Sequence, residues 1–263
     1  NLVPFNWRGW WRFGTGALGD MACHIIGPSF KLLELGYPTE VTCSASTVYS
    51  GIFKEADFPE SIPVSSKLRY TFKLKDGRDL KLYWMDGGMV PDRPDELDPD
   101  LNLNEALADT PELNDYEGGT LFVGTKGKVS CGWGGSNPRL LPLSRNKEVN
   151  IPQKYPRVEG DMDGHWWQWV DACIAGYGKM EVDSPFVGYA GPLTETVLMG
   201  NLLLRSFNLR EKTTVKDPVY GNMEVYKTPG RYISYKWDGE NMRINNFEAA
   251  NQFVKQIGRA ECR

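Results

Sequence analysis

The alternation of hydrophobic and polar residues from Val41 onward predicts β-strands. The segments KLRYTFKL and DLKLYWM alternate in this way and carry aromatic residues that favour extended backbone. Two short turn sequences, KDGR at 75–78 and TKGK at 125–128, connect neighbouring segments as tight hairpins. Because hairpins pair strands in antiparallel order, the pattern predicts an open, predominantly antiparallel sheet. Further strands are predicted in EVTCSASTVYSGIF, GTLFVGTKGKVSCGW and RYISYKWDG.

Helical periodicity appears in three longer segments, which makes the predicted fold class α+β. The first follows Gly19, and we expect Pro28 to break or kink it and GYP at 36–38 to end it. The second, DGHWWQWVDACIAG, begins from Asp163 as its N-cap. The third, GPLTETVLMGNLLLRSFNL, carries Pro192 in its first turn, where proline suits a helix.

Two further segments have weaker patterns. Residues 86–116 are acidic and rich in Pro and Asn, which predicts a long loop with a short helix near residues 105–108. Such a loop serves as a lid or partner arm, or is simply a solvated excursion, and the sequence leaves both interpretations open. Near the end of the chain, NNFEAANQFVKQ is predicted to be helical.

Composition and charge exclude some classes of function. The 263 residues are 41% hydrophobic and 24% charged, an ordinary globular balance. The net charge is −4 and no basic block is present, which argues against a nucleic-acid surface. No run of apolar residues is long enough to span a membrane. The chain begins at Asn1 rather than Met, so we expect the native N-terminus to lie upstream, and the localisation, cytoplasmic or exported, stays open.

The cysteines do not indicate a metal site or a disulfide framework. Their number is odd and none form a C-x-x-C pair, so free thiols are the simplest interpretation. They are Cys23, Cys43, Cys131, Cys173 and Cys262.

The stretch GTGALG, residues 14–19, matches the G-x-G-x-x-G fingerprint of a dinucleotide-binding turn. That fingerprint requires a buried parallel strand before it, but the preceding residues NWRGWWRF are aromatic and cationic. Glu40, the acid at about the required distance, precedes a predicted strand instead of following one. We therefore interpret the glycines as a turn that leads into a helix.

Asp20 and His24 form the first candidate site. Four residues apart on a helix, they share one face, and a carboxylate beside an imidazole fixes its tautomer and raises its basicity. The spacing alone is more typical of a capping aspartate and an ordinary histidine, and the surrounding residues are what favour a site. His24 and His165 are the only histidines, so a three-histidine zinc site is impossible, and G-x-S-x-G and H-E-x-x-H are absent. Acid–base chemistry on a hydroxyl is the activity that remains.

Aromatic and cationic residues surround this pair in the sequence. Arg8, Trp10, Trp11 and Arg12 precede it and form a set suited to binding a sugar or polyol, or else a surface aromatic cluster. His165, in the run HWWQW, is a further candidate substrate contact. The alternative is that this run packs against the sheet.

Four separated segments, in order, resemble the C-terminal domain of the glucose–fructose oxidoreductase / inositol dehydrogenase / MocA family. They are WRGWWRFGTGALGDMACHII, YWMDGGMVPDRPDEL, GGTLFVGTKGKVS and VGYAGPLTETVLMGNLLLR. The likeness extends over nearly the whole chain and is closest to a bacterial branch with this Trp-rich approach to the motif.

The resemblance implies a fold and a partner. The fold is an open, predominantly antiparallel sheet with helices packed on one face, the dihydrodipicolinate-reductase-like C-terminal type. Residues 1–263 would form a single domain for substrate binding and oligomerisation. The free sheet face would form a homodimer or homotetramer, and the ligand would be a sugar or polyol.

The resemblance also implies a reaction. His24 would take the proton from a sugar or polyol hydroxyl while a hydride leaves for NAD or NADP, and Asp20 would bind substrate or tune the histidine. The family's N-terminal dinucleotide-binding domain, with its catalytic lysine in a Glu-Lys-Pro motif, is missing here. We therefore expect the isolated chain to be inactive.

Two alternatives stay open at this point. One is an enzyme that uses the same transient oxidation for glycoside cleavage or elimination. The other is a carbohydrate-binding or scaffold module that has the fold without the chemistry.

Overall fold

A computed structural model of the chain describes residues 3–52, 54–101, 118–160 and 163–254. The chain divides into two compact units, the first comprising Asn1–Asp92 with Glu195–Arg263 and the second Arg93–Thr194. Over the described ranges it contains three α-helices and open, antiparallel sheets, so the predicted α+β class is confirmed.

The bounds of the elements are as follows. The helices are α1 (Gly16–Leu32), α2 (Gly164–Ala175) and α3 (Gly191–Ser206). The strands are β1 (Glu40–Ala45), β2 (Tyr49–Gly51), β3 (Lys54–Glu55), β4 (Ser66–Lys73), β5 (Asp79–Met85), β6 (Gly119–Gly124), β7 (Gly127–Gly132), β8 (Arg139–Leu141), β9 (Glu211–Asp217), β10 (Gly221–Lys227), β11 (Tyr235–Asp238) and β12 (Arg243–Ile244). Short 3₁₀ turns include Asn6–Gly9, Pro229–Arg231 and Glu248–Phe253.

The first unit is built on a five-stranded sheet in the order β12-β11-β1-β4-β5. Every pairing in it is antiparallel, and the register sets Val41 of β1 opposite Tyr70 of β4. The hairpins β2–β3 and β9–β10 form separate two-stranded sheets. The second unit has its own three-stranded sheet, β6-β7-β8.

Both predicted hairpins are confirmed, at residues 75–78 between β4 and β5 and at residues 125–126 between β6 and β7. The expectation of one sheet is wrong, because the strands near residues 119–132 pair with β8 instead of with the first unit's strands. The β9–β10 hairpin was not predicted, since charged residues interrupt its alternation.

The first helix differs from its predicted end. It runs through Pro28 and stops at Leu32, before the GYP sequence. Proline removes one hydrogen bond, but the neighbouring residues Ile26 and Phe30 are buried, and that packing holds the helix together. The left-handed residue that follows the helix is Glu34, with φ of 50°, instead of Gly36.

The other predicted elements have mixed outcomes. Asp163 lies at the N-cap position of α2 but makes no capping hydrogen bond through its side chain. Residues 86–101 contain no helix or strand, as predicted, while the short helix expected near 105–108 lies outside the described residues. Within the helix predicted near the end of the chain, Glu248–Phe253 forms a 3₁₀ turn, and the last predicted residues, 255–256, lie outside the described ranges.

The core of the first unit lies between the sheet and two helices. Along β4, Leu68, Tyr70 and Phe72 are buried while the intervening side chains are not. Phe30 of α1 meets Phe72 edge to face, with ring centroids 6.3 Å apart. On α3, Gly200 lies so close to Tyr70 that an added Cβ would be 2.1 Å from its hydroxyl oxygen. Both helices therefore contact the same face of β4.

In the part of the chain that the structure describes, no helix has the length and apolar character needed to cross a membrane.

The close contact at Gly200 predicts that a methyl group added there destabilises the fold. Gly200→Ala should lower the free energy of unfolding by about 1–3 kcal/mol, because the new Cβ overlaps Tyr70 and Leu18. Urea unfolding measures this change. Gly36→Ala is the matched control, since no atom lies within 4 Å of its Cβ position, and equal stability of the two variants would contradict the packing described.

Candidate functional site

The segment before α1 folds back along the loop at residues 58–62. Its backbone forms a bridge between Trp10 and Ser61. The Trp11 N–H donates to the Glu60 carbonyl at 2.9 Å, and the Ile62 N–H donates to the Gly9 carbonyl at 2.8 Å. These bonds fix the position of the segment at the start of the helix.

The glycines of GTGALG make this return of the chain possible. A Cβ on Gly14 would lie 2.5 Å from the Cα of Arg8, so only glycine lets the two backbones approach so closely. Gly16 has φ of +67°, a left-handed conformation at the first residue of α1. Before Gly14, the described residues form a 3₁₀ turn and a single bridge instead of a strand, so the glycines act as a packing turn.

Asp20 and His24 lie on the solvent-exposed side of α1. Leu18, Ala22 and Ile26 point to the core, and the intervening face carries the two titratable residues, both exposed. Their spacing of one helical turn places both side chains on this face. The helix therefore presents a carboxylate and an imidazole to solvent.

Arg8 is the residue that the structure brings to this pair. Its guanidinium forms an ion pair with the Asp20 carboxylate. The same guanidinium lies over the Phe5 ring, 4.1 Å from its centroid. The side chains of Arg8 and Asp20 are 28% and 47% exposed, so the pair remains reachable from solvent. Arg8 thus sets the direction of the carboxylate while a ligand can still approach it.

Cys23, next to His24, is not suited to nucleophilic chemistry. Burial raises the pKa of its thiol, a hydrogen bond with its own backbone opposes that rise, and the charge of Asp20 adds to it. A raised pKa keeps the sulfur protonated near neutral pH. The reactive groups of this face are therefore the carboxylate and the imidazole.

The other residues of the N-terminal segment that the sequence predicted as substrate contacts are Trp10, Trp11 and Arg12. Trp11 is half-buried, and the Arg205 guanidinium lies 5.4 Å from its ring centroid. Trp10 is 38% exposed, and Arg12 is exposed beside the Phe13 ring. These three residues share a segment with Arg8, but Arg8 alone has a described ion pair with Asp20.

Arg205 was not predicted from sequence. It lies on α3, also 4.6 Å from the Phe253 ring centroid, and burial lowers its pKa against the opposing charge of Glu60. Nothing near residue 205 in the sequence points to Trp11, so only the tertiary structure could reveal this contact.

His165 lies in the second unit, on α2, whereas Asp20 and His24 belong to the first. Its ring is 4.3 Å from that of Trp166, centroid to centroid. Trp166, Trp167 and Trp169 are 64%, 60% and 56% exposed, so the described residues of the second unit do not bury them. The helix separates the residues of the HWWQW run onto different faces.

A metal site is not evident in the described ranges, where no group of three or more His, Cys, Asp or Glu side chains could hold an ion. Cys23, Cys43, Cys131 and Cys173 form no disulfide among the described residues, and Cys262 lies outside those residues.

No protein-family model matches the chain, and no curated protein matches it either.

The close approach at Gly14 predicts a selective effect on this segment. Gly14→Ala should lower the free energy of unfolding by about 1–3 kcal/mol, because its Cβ displaces the backbone of Arg8. Gly9→Ala is the control from the same segment, since its Cβ meets nothing within 4 Å. Thermal unfolding compares the two, and a Gly14→Ala variant as stable as Gly9→Ala would contradict the fold-back of the chain.

Proposed function

We propose that this chain is the substrate domain of a nicotinamide-dependent oxidoreductase that acts on a sugar or polyol hydroxyl. The observation that carries the proposal is the exposed Asp20–His24 pair on α1, with Arg8 on the carboxylate. The four sequence segments that resemble the glucose–fructose oxidoreductase / inositol dehydrogenase / MocA family support the same conclusion.

In this proposal, His24 is the general base. Its imidazole accepts the proton of the substrate hydroxyl, which raises the electron density on the carbinol carbon. A bound NAD or NADP would supply the hydride acceptor for that carbon, and the alcohol would become a carbonyl compound. Asp20 accepts a hydrogen bond from a neighbouring substrate hydroxyl, and Arg8 holds Asp20 in place for it. Trp10, Trp11 and Arg12 are the further proposed substrate contacts in this unit. A substrate contact at His165, in the second unit, stays a prediction from the sequence.

The residues described here do not fit a dinucleotide site of their own, because the glycines before α1 form a packing turn. We therefore assign this chain the proton transfer and substrate binding. Tight binding of the cofactor would belong to a separate dinucleotide-binding domain.

The finer fold proposal is the dihydrodipicolinate-reductase-like type. The burial pattern supports it, since α1 and α3 contact the face of β4 that carries Tyr70. The opposite face is polar, with Arg69 bonded to Glu40 at 3.1 Å and Lys73 to Asp79 at 2.8 Å. A depression of about 490 Å³ lies over these pairs. We propose this face as the contact in a homodimer or homotetramer.

Two alternatives remain as proposals. A nicotinamide-dependent glycosidase or lyase would use the same base for a transient oxidation. A carbohydrate-binding or scaffold module, favoured by the exposed tryptophans of α2, would use Asp20 and His24 only as hydrogen-bonding groups.

Substitution of the base tests the catalytic proposal. In an enzyme that contains this chain together with a dinucleotide-binding domain, His24→Ala should lower kcat for oxidation of a sugar or polyol by about 100-fold or more, because the proposed proton acceptor is lost. The melting temperature should shift by no more than a few degrees, since the side chain is exposed. The appearance of reduced nicotinamide at 340 nm measures turnover.

Leu32→Ala, 64% exposed on the same helix, is the control and should keep full activity. Full activity of His24→Ala would remove this residue from the mechanism. Absence of any nicotinamide reduction by the unmodified enzyme would favour the binding-module alternative.

A further inference from the structure

A groove in the second unit lies along one face of α2. Its volume is about 320 Å³, at the lower end of the range for small-molecule sites. Trp167, Gln168 and Asp171 line one side, and Arg157 and Glu159 line the other. The three helical residues follow the spacing of a single helix face. His165, Trp166 and Trp169 do not line the groove.

The walls of the groove are fixed by close packing. A Cβ on Gly164 would lie 2.3 Å from the carbonyl oxygen of Glu159, so the segment before the helix rests directly on its first turn. The Gln168 amide donates to the Asp183 carboxylate at 2.8 Å, and the Asp183 backbone N–H donates to the Gln168 amide oxygen at 2.8 Å. Two reciprocal bonds orient both residues before any ligand arrives.

The remaining polar groups of the groove are available to a ligand. Among the described residues, neither the Arg157 guanidinium nor the Asp171 carboxylate has a side-chain hydrogen bond or ion pair. Both are exposed, and the Trp167 indole is 60% exposed. The groove thus combines a donor, an acceptor and a flat aromatic surface.

The charge of the lining narrows the class of ligand. Three carboxylates, on Glu159, Asp171 and Asp183, face one guanidinium, on Arg157, so an anion is disfavoured. These carboxylates do not form a metal site, because no described cluster of acidic, His or Cys residues could hold an ion. An apolar ligand would displace water from the charged groups without replacing its hydrogen bonds. The groove suits a neutral molecule with many hydroxyl groups and one apolar face.

We propose that this groove binds a neutral saccharide. The C–H face of a pyranose ring stacks on the Trp167 indole, which buries apolar surface from both partners. Ring hydroxyls donate to Asp171 and accept from Arg157. This binding involves no residue of the Asp20–His24 pair, so it goes beyond the proposed oxidoreductase activity and does not depend on it.

Binding of two neutral disaccharides to the 263-residue chain tests the proposal. Maltose and cellobiose are titrated while the indole N–H signals are followed by NMR. At least one of them should shift the Trp167 signal in a saturable way, with a dissociation constant of about 0.1–10 mM. Trp167→Ala should weaken binding by about tenfold or more, because the stacking surface is lost.

Trp169→Ala is the matched control, since it removes an equally exposed indole of the same helix outside the groove. It should leave the dissociation constant within about twofold of the unmodified chain. Asp171→Asn, which keeps the shape of the side chain, should weaken binding and serves as a second variant in case Trp167→Ala does not fold.

Three results would overturn the proposal. The first is that the Trp167 signal does not shift with either disaccharide. The second is that Trp167→Ala and Trp169→Ala lose binding equally. The third is that the groove binds choline chloride and neither saccharide. A His24→Ala chain that still binds the disaccharide would separate this site from the catalytic proposal.

Discussion

The close packing of α1 and α3 on one face of β4 decides which residues the first unit presents to solvent. Gly200 brings α3 against Tyr70, and Phe30 seats α1 on Phe72. Once these contacts are made, the rotation of α1 about its own axis is fixed. Asp20 and His24 are then exposed because the residues at the buried positions of the same helix fill the core. The packing of the buried face of α1 therefore determines that Asp20 and His24 lie on its exposed face.

Local patterns in the sequence were sufficient to predict one central strand, the turn after it and the shared face of Asp20 and His24. Alternation along KLRYTFKL predicted β4, and KDGR predicted the turn after it, because both signals lie within a few residues. The i, i+4 spacing likewise predicted that Asp20 and His24 share a face. The expected reaction came from the resemblance to a known family, and it stays a proposal.

Features that depend on distant residues were not predictable in this way. The helix continues through Pro28 because buried neighbours outweigh the lost hydrogen bond. The separation of β6 and β7 into another sheet depends on β8, and the partner of Arg8 depends on a close approach at Gly14. The residues of HWWQW are neighbours in sequence, but the helix points their side chains in different directions. Trp167 and Asp171 are four residues apart, and this helical spacing could have predicted that they line one groove.

The central claim is that the N-terminal segment holds the carboxylate of Asp20 through Arg8, one helical turn from His24. A double-mutant cycle on urea unfolding, with Arg8→Ala, Asp20→Ala and both together, measures that interaction directly. We predict a favourable coupling free energy of about 0.5–1 kcal/mol, as expected for a partly exposed ion pair. Strictly additive effects of the two substitutions would show that the side chains do not interact and would contradict this arrangement of the site.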